Sequence, residues 1–218
     1  MSRIWHFLLA AVVLASLVIQ VALLLTGGQD VNSGQAGTGL DLSTRFVRLL
    51  SYFTIQSNLI VLYVAVGLVR DPQRDGRTWR VVRLDSLLGI IVTGIVFAAF
   101  LSGIVHHQGA GTWANAGFHY LSPLMTVAGW LLFGPRPRID WRSIGMAFAW
   151  PVAWLAYTLV HGASTGWYPY PFLDVGALGY PKVLVNMAVI LVFAFLLAMV
   201  LKAIDARLPR QRMANATH

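Results

Sequence analysis

The sequence predicts an all-α membrane bundle of six transmembrane helices, and three observations carry that prediction. Of 218 residues, 57% are hydrophobic and 11% charged, whereas soluble domains run at about 45–50% apolar and about 25% charged. Mean hydropathy is +0.68, which excludes disorder as well as an ordinary water-soluble core. Six apolar stretches are each long enough for the roughly 20 residues that cross a hydrocarbon core. They fall at 4–26, 44–69, 84–106, 114–134, 142–163 and 181–203, forming a single integral membrane domain.

The first stretch follows Arg3 and is longer than a signal-peptide core, with no small-x-small site after it, so it reads as a retained span. Orientation comes from the short loops. Thirteen of the sixteen Lys and Arg residues fall on one side: Arg3, Arg70, Arg74, Arg77, Arg80, Arg83, Arg136, Arg138, Arg142, Lys202, Arg207, Arg210 and Arg212. The positive-inside tendency then places both termini in the cytoplasm and the chain in the cell membrane. The net charge of +8 is a topology signal and not a nucleic-acid surface, because the basic residues lie in short runs between apolar stretches. The tail 209–218 reads as a solvated end. Cysteine is absent, which removes disulfides, thiolate metal sites and a cysteine nucleophile.

Polar residues inside apolar spans are the informative ones, since each needs a partner or a cavity in the bilayer. In span 2, Ser51, Thr54 and Asn58 share one helical face with Ser57 beside them. On a continuous helix Thr54 sits about 15 Å below the start of the span. Span 4 carries a second stripe, Asn115, His119, Ser122 and Thr126. Each stripe has two readings, interhelical hydrogen bonding or a hydroxyl and an imidazole meeting in an outward-facing cavity. Span 5 ends at Tyr157, Thr158 and His161, followed by an aromatic loop with one Trp-Tyr and two Tyr-Pro pairs, which reads as an interface belt or as a lid. Lys182 and Asn186 open span 6 one turn apart. Asp85 reads as an interfacial ion pair with Arg83. The histidines lack ligand spacing, so neither a metal nor a cofactor is expected.

Three segments resemble a known family: Ser51-Tyr52-Phe53-Thr54, Gly117-Phe118-His119 and above all Thr165-Gly166-Trp167-Tyr168-Pro169-Tyr170-Pro171-Phe172-Leu173-Asp174. They are similar to the androgen-induced membrane hydrolase family, which includes the androgen-dependent regulator of tissue factor pathway inhibitor and bacterial six-span relatives. The resemblance implies an intramembrane threonine hydrolase that cleaves lipid esters such as fatty acid esters of hydroxy fatty acids. It also implies Thr54 as nucleophile and His119 as base. This chain departs from the animal pattern at Ser57, three residues after the threonine, and His161 does not align with the family's later histidine.

The residues themselves add further expectations. Asn58 and Asn115, with Ser57 as support, are the candidate oxyanion donors, on the premise that a membrane helix has no free backbone N–H to offer. Arg48 and Lys182 are placed to pair with a fatty carboxylate at the outer mouth. Trp167, Tyr170 and His161 are the remaining substrate-binding candidates. The partners expected are the membrane and a fatty-acyl ester, with no nucleic acid and no obligate protein partner. Two other classes stay open at this stage. One is a six-span transporter or receptor whose polar stripes line a pathway. The other is a haem-binding electron-transfer protein using His106, His107, His119 or His161.

Overall fold

A computed structural model describes residues 1–208. The tail 209–218, with Arg210 and Arg212, lies outside the described residues. The regular structure among them is all helix, apart from one isolated bridge between Gln29 and Ala36. Five helical segments are long and apolar enough to cross a membrane: Ser2–Thr26, Phe53–Arg70, Arg77–Leu101, Trp141–Thr165 and Tyr180–Arg207.

The chain begins with α1 (Ser2–Thr26), which ends where Gly27 takes a left-handed φ of 73° that a side chain would resist. Next comes α2 (Leu42–Ser51), capped by Asp41, whose carboxylate accepts from the Thr44 N–H at 2.9 Å. Tyr52 is extended, and α3 (Phe53–Arg70) starts directly after it. The span expected at 44–69 is therefore two helices, and the continuous face assigned to Ser51, Thr54 and Asn58 does not exist. Then follow α4 (Arg77–Val96) and a π-helical turn, Phe97–Leu101.

The span expected at 114–134 is built from α5 (Ala110–Ala116), a π-helical turn Gly117–Leu121 and α6 (Ser122–Phe133). It is not among the five long apolar helices, for it carries Asn115, His119, Ser122, Pro123 and Thr126 through its length. The span at 142–163 is α7 (Trp141–Ala147) and α8 (Ala149–Thr165), parted at Phe148. A short helix α9 (Val175–Leu178) precedes α10 (Tyr180–Arg207), with Pro181 in its first turn, where a missing N–H is harmless.

Packing ranks these helices. The most apolar window of α4 and its π-turn is 56% buried, that of α10 only 22%. The α4 segment is the central post and α10 a peripheral one, whose exposed Leu184, Val185, Val189 and Val192 suit contact with lipid. α3 packs between α1 and α4. At Gly117 a Cβ would overlap Ser16, so the glycine is what lets the second half of the bundle close on α1.

One end of the bundle gathers the start of α1, the end of α6, the start of α4 and the end of α10. There Trp5 meets Phe133, Arg83 donates to the Gly134 carbonyl, and Asp205 accepts from the N–H groups of Arg138 and Ile139 at 2.5 and 2.8 Å. The opposite end holds the 27–41 segment and the aromatic 166–179 segment. Between them lies the largest buried cluster, including Tyr52, Phe97, Phe118, Trp154, Tyr170 and Leu173.

Candidate active site

The break at Tyr52 is what places Thr54. A helix interrupted inside an apolar body frees carbonyls before the break and N–H groups after it, and each needs a partner. Here the partners are side chains. The Trp154 indole donates to the Ser51 carbonyl at 2.9 Å, and Gln56 donates its amide to the Leu50 carbonyl at 2.9 Å. Gln56 is held in turn by the Trp150 indole at 2.9 Å. The Ser51 hydroxyl bonds the Val47 carbonyl at 2.7 Å and the Tyr157 hydroxyl at 2.6 Å. Trp150, Trp154 and Tyr157 follow one another at steps of four and three, so a single face of α8 braces the whole break.

On the far side of the break the Thr54 N–H donates to the Tyr170 hydroxyl at 3.2 Å. Tyr170 arrives there because Gly166, left-handed at φ 71°, ends α8 and turns the aromatic segment back over the bundle. The segment is pinned by Asn186, which donates to the Phe172 carbonyl at 2.8 Å. Tyr170 stacks on Phe172 and meets Tyr52 and Trp154 edge-on. Burial pushes its phenol up to about 12, so it stays a protonated donor across the neutral range.

His119 comes from the π-turn of the fourth segment. Pro123 has no N–H to give the His119 carbonyl and its ring crowds that carbonyl, so the helix widens and Ser122 bonds back to Gly117 instead. The imidazole stacks on Phe97, which opens the other π-turn, with centroids 3.9 Å apart. Its Nδ1 lies 2.8 Å from the Asn115 Oδ1, and its Nε2 lies 3.3 Å from the Thr54 Oγ1. With the Asn115 oxygen accepting from Nδ1–H, Nε2 is left with its lone pair toward the threonine hydroxyl. The Tyr170 hydroxyl completes the chain 3.2 Å from the same Oγ1. Thr54 and His119 are each 3% exposed.

The other candidate residues divide. Asn115 orients the imidazole and does not face the threonine oxygen. Asn58 donates to the Thr54 and Phe118 carbonyls at 2.9 and 3.4 Å, tying α3 to the π-turn. The Ser57 hydroxyl is buried without a partner among the described residues and sits where Gly89 leaves room for it. The premise that backbone N–H donors are absent fails at the break, because Thr54 stands in the first turn of α3. No proline or glycine marks Tyr52 as a break point, so nothing in the local sequence announced it.

Two cavities meet at Tyr170. The outer one, about 630 Å³, is lined by Arg48, Tyr52, Trp167, Tyr168, Asp30 and Asp174 among others. Burial raises the Asp30 carboxyl, although the Asn32 and Ser33 N–H groups pull it back. Arg45 is tied to the Leu24 and Leu40 carbonyls at 3.0 and 2.9 Å. Arg48 lies over the Trp167 ring at 5.0 Å and makes no ion pair among the described residues. His161 stacks on Tyr157 and Lys182 is exposed; neither lines this cavity. The inner cavity is a narrow apolar slot of about 70 Å³ running from Thr54 along α4. Asp85 lines it and makes no ion pair among the described residues, while Arg83 turns to Gly134, so the expected Asp85–Arg83 pair is not formed. No group of three or more potential metal ligands occurs among the described residues.

No family model matches the chain, and no curated protein and no solved structure matches it.

Proposed function

We propose that this chain is an intramembrane hydrolase of lipid carboxylic esters, with Thr54 as nucleophile and His119 as base. The carrying observation is the 3.3 Å contact between Thr54 Oγ1 and an imidazole whose far nitrogen is held by Asn115. A nucleophile, a base and an orienting group in series are the minimum for acyl transfer. Catalytic contacts of this length commonly tighten in the complex with substrate.

Thr54 Oγ1 attacks the ester carbonyl carbon while its proton passes to His119 Nε2. The tetrahedral oxyanion takes hydrogen bonds from the Thr54 N–H and the Tyr170 hydroxyl, the latter 3.2 Å from the attacking Oγ1. Collapse breaks the C–O bond to the alcohol, which leaves with the proton from His119. Water from the outer cavity then attacks the acyl-threonine while His119 takes its proton, and His119 returns that proton to Thr54 Oγ1 as the acyl C–O bond breaks and the acid is released. Arg48, which makes no ion pair among the described residues, is the anchor at the outer mouth for a substrate that carries a carboxylate. Fatty acid esters of hydroxy fatty acids are such substrates, as the resemblance to the androgen-induced membrane hydrolases suggests.

The same reading places the protein in the cell membrane with six spans, α5, its π-turn and α6 making the fourth, and with both termini cytoplasmic. The basic residues gathered at one end of the bundle support that orientation.

Labelling of the purified protein by a fluorophosphonate probe tests the assignment. Wild type is expected to label, and Thr54→Ala and His119→Ala to lose the label while keeping the wild-type gel-filtration profile. Undiminished labelling of Thr54→Ala would overturn it.

A further inference from the structure

Two opposite charges line the outer cavity without an ion pair to each other or to any other described residue: Asp30 on the 27–41 segment and Arg48 on α2. Asp30 Oδ1 accepts the N–H groups of Asn32 and Ser33 at 2.8 and 3.2 Å, which fixes the carboxylate at the wall but brings no positive charge to it. Arg48 rests on the Trp167 ring, which leaves its N–H groups without an acceptor among the described residues. Both charges act on the Tyr52 hydroxyl, so the two lie near one point of the cavity wall. Beside Asp30, Asn32 is 3% exposed and its Oδ1 accepts no hydrogen bond among the described residues. Asp174, which caps α9, adds a second negative charge to the wall, whereas Arg45 is already held by two carbonyls. One side of the cavity thus calls for a cationic donor and another for an anion, and burial is costly to both until they are met.

The place of the cavity says where such a ligand comes from. It lies at the end of the bundle opposite the basic loops, where the Trp and Tyr residues of the 166–179 segment sit at headgroup level. Leu101, Ile104 and Val105 form one side of it, and Ile104 is 61% exposed, so the cavity opens past an apolar edge along which a lipid's chains can stay in the bilayer. We propose that the outer cavity binds the headgroup of a membrane lipid carrying a phosphodiester and a primary ammonium, with the phosphodiester at Arg48 and the ammonium at Asp30 and Asn32. Arginine pairs with a phosphate through parallel N–H bonds. A primary ammonium offers N–H donors to both acceptors, whereas a quaternary one has none, and the Trp167 ring that could receive it is engaged by Arg48. A polyol headgroup supplies donors but leaves the Asp30 charge unmatched. The proposal shares Arg48 with the hydrolase reading and otherwise stands without it, since nothing has to be cleaved.

Ether lysolipids test it, because they have no ester for Thr54 to attack. Purified protein in maltoside micelles is saturated with radiolabelled hexadecyl-ether lysophosphatidylethanolamine. The choline and glycerol analogues compete against it, as does glycerophosphoethanolamine, the same headgroup without a chain. The ethanolamine lipid is expected to bind about tenfold tighter than either analogue, the effect of one charge-assisted hydrogen bond. The chainless headgroup should compete far more weakly. Asp30→Asn keeps an Oδ1 for the Asn32 and Ser33 N–H groups, so the segment retains its fold, and the variant should bind the three lipids alike. Arg48→Gln should weaken all three about equally and keep the preference. Equal binding of the three lipids by wild type, a preference that survives Asp30→Asn, or unaltered affinities in Arg48→Gln would each overturn the proposal. Competition by the chainless headgroup equal to that of the lipid would make this a site for a soluble solute and overturn it as well. A clear ethanolamine preference in a protein that no fluorophosphonate labels would uphold the headgroup site and sink the hydrolase; normal labelling without the preference would do the reverse.

Discussion

Tyr170 touches Thr54 twice, at its backbone N–H and at its hydroxyl, and these contacts have different chemical meanings. The first satisfies a donor that the helix break would otherwise leave buried and unpaired. The second holds a proton donor beside the nucleophile oxygen, within reach, on the proposed mechanism, of the ester carbonyl oxygen that becomes charged as Thr54 attacks. Tyr170→Phe removes both while keeping the ring that stacks on Phe172. Loss of one oxyanion donor lowers turnover on the order of 10²-fold. The unpaired N–H costs a further 1–3 kcal/mol or so of stability. The expected result with a soluble short-chain ester is a kcat reduced about a hundredfold with KM nearly unchanged. A kcat within a factor of two of wild type would show that the phenol takes no part in the reaction. Thr54 and His119 were legible as polar residues at depth, because the bilayer makes such residues expensive wherever they occur. The role of Tyr170 was not, since a tyrosine in an aromatic loop reads equally as an interface anchor, and its path to Thr54 depends on how the loop folds back.

Among the elements, the broken second span and the widened fourth one do the positioning, and they differ in how visible they are. The π-turn at His119 has a local cause in Pro123, four residues on, which the sequence displays. The break at Tyr52 is made by tertiary contacts: Trp154 and Gln56 take up carbonyls that a continuous helix would have kept. Periodicity sees only apolar and polar faces, and an apolar run reads the same whether the helix within it is whole or broken. This explains why the spans 4–26 and 181–203 emerge nearly as expected as α1 and α10, whereas the one carrying Thr54 does not. Trp154→Phe keeps an aromatic ring on α8 but leaves the Ser51 carbonyl without its donor, a penalty of about 1–3 kcal/mol. The apparent melting temperature in detergent should fall, and fluorophosphonate labelling of Thr54 should slow, since the carbonyl's rescue requires the break to shift. Tyr157→Phe leaves that carbonyl served and is expected to affect labelling far less. Equal slowing by the two variants would show that Trp154 does not hold the break.

Over the whole molecule, charge and chemistry are at opposite ends. The basic end is fastened by a few acids: Asp75 bonds Arg80 at 2.8 Å and pairs with Arg138, and Asp205 accepts two backbone N–H groups of the 134–140 loop. Arg80 and Arg138 therefore hold loops together as well as marking a side, which a count of positive charges does not reveal. Asp205 is 1% exposed and is the joint between the end of α10 and the loop after α6. Asp205→Ala leaves the Arg138 and Ile139 N–H groups unpaired, a penalty on the order of 2–5 kcal/mol from the two together. The site lies at the far end, beyond the bundle's middle, and none of its hydrogen bonds passes through this loop. A mutation at one end should then add to one at the other without coupling. Asp205→Ala is expected to lower the apparent melting temperature while leaving the rate of Thr54 labelling unchanged at a temperature where the protein stays folded. Combined with Tyr170→Phe, the stability losses should sum. A labelling rate that drops with Asp205→Ala alone would mean that the basic end sets the geometry of the catalytic end, and that the bundle behaves as one coupled unit.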